Sequence, residues 1–180
     1  IGSISGSGVL NLNGGTLSVG GSTGINVDNL VLGKVSGSSV NYTLSSAGLY
    51  DGANKVAKTL SVRNLTLGDS GTSTFNLAGG SLFDVVTLTQ NAASKLTGFG
   101  IINADSISNA GTINAKSGNL ILSSNSFSNT GLIKNSVGSN LFIEAATVNH
   151  QGNIEVNSAG SIVFDAAITN VTGKNVALLG

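Results

Sequence analysis

The 180-residue chain has no cysteine, proline, methionine or tryptophan, a single histidine, a single arginine and only 9% charged residues. Without cysteine there is neither a disulfide nor a thiolate metal site, and His150 alone cannot build a histidine zinc cluster. Eight basic side chains cancel eight acidic ones, giving a formal net charge of zero. Nucleic acids and anionic membranes are therefore not expected partners. No apolar run approaches the ~18 residues of a membrane span, and no charged segment precedes a short apolar run as in a signal peptide, so direct membrane insertion is not expected of this segment. A chain that begins at Ile1 and has no Met reads as a piece of a longer protein, with any export signal carried elsewhere.

Small uncharged residues dominate what is present. There are 26 Gly, 26 Ser, 22 Asn and 15 Thr, about half of the chain, yet 40% of residues are hydrophobic, most of them Val, Ile and Leu. Disorder goes with low hydrophobicity and high net charge or abundant proline. This composition predicts a folded chain.

A repeat organises the second half. Ser106-Ile107-Ser108-Asn109-Ala110-Gly111-Thr112-Ile113 returns as Ser126-Phe127-Ser128-Asn129-Thr130-Gly131-Leu132-Ile133, then as Thr147-Val148-Asn149-His150-Gln151-Gly152-Asn153-Ile154, then as Ala167-Ile168-Thr169-Asn170 leading to Gly173. A second column keeps time with it: Leu120, Leu141 and Ile162, beside Leu122, Ile143 and Phe164. Apolar residues alternate within each unit, the period of a strand with one buried face. Short strands recurring at this interval between small-residue turns predict an all-β fold, a right-handed parallel β-helix of about 20–22 residues per coil. About eight or nine such coils, at roughly 4.8 Å each, would make a rod about 40 Å long. Glycines 111, 131, 152 and 173 are expected to supply positive φ at the bends. Asn109, Asn129 and Asn170 are expected to tolerate the same conformation and to hydrogen-bond up the stack, with His150 in their column.

Residues 1–94 are less regular, residues 95–180 more so, and together they read as one continuous solenoid. Leu10-Asn11-Leu12-Asn13-Gly14-Gly15-Thr16-Leu17 resembles Phe75-Asn76-Leu77-Ala78-Gly79-Gly80-Ser81-Leu82, about three coils later. Leu30-Val31-Leu32-Gly33 resembles Leu65-Thr66-Leu67-Gly68 at a spacing of 35, which needs an intervening loop. Residues 48–58, with the Asp51-Gly52 turn signal and Tyr50, are the expected loop.

The units at 106–115 and 118–123 resemble repeats of filamentous-haemagglutinin-type exoproteins. The Gly-Gly-Thr-Leu unit and the stretch 67–82 are similar to repeats of autotransporter passenger regions. The resemblance implies a large bacterial surface or secreted protein, often an adhesin, exported through the outer membrane. Lack of cysteine suits passage through a pore.

Candidate chemistry is sparse. Gly20-Gly21-Ser22-Thr23-Gly24 matches the nucleophile-elbow pattern, but no helix is expected to follow it. His150 lacks a partnered nucleophile and an orienting carboxylate. Glu144 and Asp165 stand 21 apart at equivalent positions, either solvated, holding a cation or acting as an acid/base pair. Lys134 and Glu155 are equivalent with opposite sign, an expected register-marking pair. Arg63 and the acids Asp28, Asp51, Asp69, Asp84 and Asp105 are scattered, unlike the clustered residues of polysaccharide-cleaving β-helices. The sequons at Asn41, Asn64 and Asn170 are expected by chance in so Asn- and Thr-rich a chain. Thr72, Thr74, Thr87 and Thr89 form no column through the second half, against an ice-binding face. No catalytic, cofactor-binding or metal residue is assigned and no cofactor is expected.

The expectation is a non-enzymatic segment of a secreted or cell-surface bacterial adhesin, an extended rod and contact surface facing a host or environmental surface through an unidentified glycan or protein receptor. The alternative is a module of an extracellular filament or sheath built by end-to-end stacking of coils.

Overall fold

Alternating Leu, Ile and Val with small polar residues between them can bury one side of every strand only if each strand lies on its equivalent one turn later. A computed structural model describes residues 4–17, 25–45, 49–51, 54–56, 59–169 and 176–179. Its strands are β1 (Ile4–Leu12), β2 (Gly15–Leu17), β3 (Ile25–Leu32), β4 (Ser39–Ser45), β5 (Leu49–Asp51), β6 (Asn54–Val56), β7 (Thr59–Leu67) and β8 (Thr72–Gln90). They continue as β9 (Lys95–Asn109), β10 (Thr112–Asn129), β11 (Leu132–Asn135), β12 (Asn140–His150), β13 (Asn153–Asn157), β14 (Ser161–Phe164), β15 (Ile168–Thr169) and β16 (Val176–Leu179). No helix occurs among the described residues. Fourteen strands join in one sheet and pair in parallel, stacked as a β-solenoid of about 7 turns. That is fewer than the eight or nine coils expected, chiefly because the turn from Leu30 to Leu65 takes 35 residues.

One interior ladder runs through eight successive levels: Leu10, Leu30, Leu65, Leu88, Ile107, Phe127, Val148 and Ile168. The seven steps between them, at roughly 4.8 Å each, span about 34 Å. In the regular half each turn has three runs, for example Asn119–Ser124, Ser126–Asn129 and Leu132–Asn135. The first run sends Leu120 and Leu122 inward, the second Phe127, the third Ile133, all at most 1% exposed. Each buried aliphatic side chain contributes roughly 1.5–3 kcal/mol of transfer free energy. Near the other end Tyr42 stacks on Phe75 at 5.3 Å between ring centres. Burial pushes its phenol up to about 12, so it stays uncharged throughout the neutral range.

The spacing of 35 is a single turn: Leu30 pairs with Leu65 and Leu32 with Leu67. The extra residues include an antiparallel pair of β5 and β6 at the expected loop. The likeness between Leu10 and Phe75, by contrast, is not a stacking register. Phe75 lies on Tyr42, which lies on Leu17, so the two similar segments occupy different faces of the coil.

The repeat glycines serve a different purpose from the one expected. Gly111, Gly131 and Gly152 do not have positive φ, and neither do Asn109 and Asn129. A Cβ on Gly131 would overlap the carbonyl oxygen of Gly111, and one on Gly152 that of Gly131. Close approach of stacked backbones, not a left-handed bend, requires glycine there. Asn170 and Gly173 lie outside the described residues.

Candidate functional site

The interior explains the first half of each repeat and leaves its outward residues free for function. On the first run of four successive turns, an outward residue is itself apolar. Ile101 pairs with Ile121, Ile121 with Phe142 and Phe142 with Val163, a ladder over four turns on the outside of the rod. Ile101 is 39% and Val163 41% exposed. Beside it runs a polar column in which the Asn140 amide donates to Asn119 Oδ1 at 2.9 Å and Ser161 Oγ donates to Asn140 Oδ1 at 3.0 Å. On the other side Asn103, Ser123 and Glu144 are stacked in register, and Asp165 follows at the next level.

Two hollows mark the ends of this ladder. A groove of about 520 Å³ is lined by Gly79, Phe99, Gly100, Ile101, Gly118, Asn119 and Ile121. The Cα of Gly118 packs over Phe99, where any Cβ would press on the ring. A hollow of about 210 Å³ lies among Phe142, Ile143, Glu144, Val163 and Asp165. The face thus offers apolar side chains in the middle, amide and hydroxyl groups along one border and carboxylates along the other. No lysine or arginine lines either hollow. The third run has a different outer surface: Lys95, Thr97, Thr112, Asn114, Leu132 and Lys134 line a groove of about 380 Å³, and Lys134 Nζ is 3.9 Å from Glu155. That half-exposed pair is the register marker expected, worth at most about 1 kcal/mol.

Glu144 and Asp165 do come together in the smaller hollow, but without further ligands. No group of three or more His, Cys, Asp or Glu able to hold a metal occurs among the described residues. Two carboxylates fall well short of the six to eight oxygens calcium takes. Adding millimolar calcium is therefore expected to leave the melting temperature unchanged, as a thermal melt with and without the ion would register.

His150 is inside the rod, 2% exposed, which removes it from any substrate. It belongs to a second interior column that changes character along the axis: Leu12, Leu32 and Leu67, then Gln90, Asn109, Asn129 and His150. The small polar residues are thus not confined to the turns between strands. Burying an amide costs free energy unless it is hydrogen-bonded; here the amide nitrogens all find acceptors, while Gln90 Oε1 is left without a partner. Gln90 Nε2 donates to the carbonyls of Ser94 at 3.0 Å and Thr112 at 2.8 Å. Asn109 Nδ2 donates to Asn129 Oδ1 at 2.5 Å. In the third run Asn135, also buried, donates to Ser139 O at 2.9 Å and accepts from Asn157 N–H at 2.7 Å, closing the turn between its strand and the next coil.

Ser22 lies outside the described residues. Arg63 is on β7, Asp28 on β3, Asp105 on β9 and Asp69 between β7 and β8, and no group of three or more His, Cys, Asp or Glu gathers among the described residues. Asn64 is occupied by hydrogen bonds to Asn29 and Thr87 at 2.9 and 2.8 Å. The outward apolar ladder was not anticipated, although its signal is in the sequence. Leu120-Ile121-Leu122, Leu141-Phe142-Ile143 and Ile162-Val163-Phe164 are each three apolar residues in a row, and in a strand the middle one must face away from the other two. Comparison of the chain with protein-family models, curated proteins and solved structures returns no match, so its functional reading stands on this face and on the repeat pattern.

Proposed function

We propose that this chain is a non-enzymatic rod segment of a large secreted or cell-surface bacterial adhesin, and that the face carrying Ile101, Ile121, Phe142 and Val163 is where it meets another surface. The observation that carries the reading is the outward ladder itself, continuous over four turns. A contiguous exposed apolar strip with polar borders is the usual form of an interaction site. The repeat resemblance to bacterial exoproteins supplies the setting, and the stacked coils supply the reach. Carboxylates and amides along the borders suit a partner with both apolar and hydrogen-bonding groups, such as a glycan or a protein surface.

The test compares attachment of beads coated with the wild-type chain and with an Ile121→Ser, Phe142→Ser double variant to cells and to abiotic surfaces. Removal of two apolar anchors is expected to weaken attachment roughly tenfold or more, while thermal unfolding changes little because both side chains face outward. Equal attachment by the two proteins would reject the assignment of this face. Sedimentation as regular fibres would instead favour a filament module assembled from stacked coils.

A further inference from the structure

We infer that His150 is an acid-sensitive lock on the coils that follow it, closed only while its imidazole is neutral. Two backbone groups beside the asparagine column have fixed roles. The N–H of Gly111 can only donate, and it lies 3.0 Å from Asn109 Oδ1, so that atom is the oxygen and Nδ2 is turned towards the next coil. There Asn109 Nδ2 donates to Asn129 Oδ1. The carbonyl of Gly131 can only accept, and it takes a hydrogen bond from Asn129 Nδ2 at 3.2 Å, which independently assigns the same orientation. Asn129 Nδ2 is also 3.1 Å from His150 Nδ1. A donor facing Nδ1 requires a lone pair there, so the ring is neutral with its proton on Nε2.

Protonating His150 would place N–H against N–H. Rotating the Asn129 amide does not relieve the conflict, because its oxygen is committed to Asn109 and its nitrogen to Gly131, and Asn109 is committed in turn to Gly111. The ladder is directional and has one compatible state of the histidine. Among the described residues, the groups that face the ring are Asn129 from the coil below, the Gly152 backbone from its own turn, and Phe164 from the coil above, whose ring meets it edge-on at 6.2 Å. None of them is charged. Burial lowers the imidazole's affinity for a proton and the Gly152 hydrogen bond opposes this, with the net shift downward.

The sign follows. The unfolded chain binds the proton more readily than the folded one, so stability is fully present above the ordinary histidine value of about 6.5 and is lost as pH falls towards the lowered folded value. The loss falls on β12, β14 and β15, which stack at and above His150. Phe142 and Val163 are on β12 and β14, so the upper half of the outward ladder depends on the lock. That consequence for attachment rests on the proposed contact reading; the measurements below test the lock without it.

Thermal melts between pH 7.5 and 5.5 are expected to show a wild-type Tm that falls by several degrees below pH 6.5. A His150→Asn variant keeps an acceptor for Asn129 Nδ2 and removes the titration, so its Tm is expected to stay level over the same interval. A level wild-type profile, or a parallel fall in His150→Asn, would overturn the lock. Nitrogen-15 NMR of the wild-type histidine at pH 7.5 provides a check that needs no variant: the Nε2–H tautomer is expected, and an Nδ1–H tautomer or an imidazolium would overturn it.

Discussion

Phe127→Ala is expected to destabilise the rod by about 3–5 kcal/mol, the range for removing a fully buried aromatic from a packed interior. Phe127 is 1% exposed and stands between Ile107 below and Val148 above. It is the largest side chain in its ladder, so its loss leaves a void that two neighbours of fixed register cannot fill. In a stacked array each coil is held by its two neighbours. The void therefore weakens two coil interfaces at once, and the effect on hydrogen exchange should be greatest in β9, β10 and β12. Chemical denaturation measures the total, and a loss below about 1 kcal/mol would mean that the interior closes around the gap in a way the ladder does not permit.

Gly152→Ala is expected to be nearly as damaging, at about 3 kcal/mol, for the opposite reason. Its added methyl group would run into the Gly131 carbonyl and the Asn129 amide of the coil beneath. Overpacking usually costs about 1–3 kcal/mol, and the upper end applies here because the obstacle is backbone. The same contact would also disturb the Asn129 hydrogen bonds that orient His150. Gly14→Ala is the control: it is a glycine without positive φ and with nothing within 4 Å of the added atom. It should stay within about 0.5 kcal/mol of wild type. Equal losses at Gly152 and Gly14 would remove close coil stacking as the reason for the repeat glycines.

The ladders were legible because a solenoid converts a linear period directly into contact. Leu120, Leu141 and Ile162, or Ile113, Ile133 and Ile154, could be paired from spacing alone, and the structure pairs them. The long turn was legible too, since Leu30 and Leu65 kept their identities across the insertion. Composition was misleading at the Asn column. An asparagine beside a glycine has the same letters whether it turns the chain in solvent or fills the interior with its amide satisfied, and only the position of its neighbours one coil away decides. Likewise the Leu10 and Phe75 segments are alike because two faces of the coil ask for the same alternation, so resemblance between them carries no register. The outward ladder is less legible because alternation is read for the buried face alone; Ile121 and Phe142 each sit between two apolar neighbours and must point away from them.

The turn from Leu30 to Leu65 uses 35 residues, and that from Ile107 to Phe127 uses 20, yet each advances the stack by one level. The rod is therefore a ruler graduated in turns, insensitive to how many amino acids each graduation contains. Added sequence goes sideways, as with β5 and β6, and leaves the distance between the ends unchanged. A protein built this way can vary what it displays along its flank without altering how far it holds that display from its base.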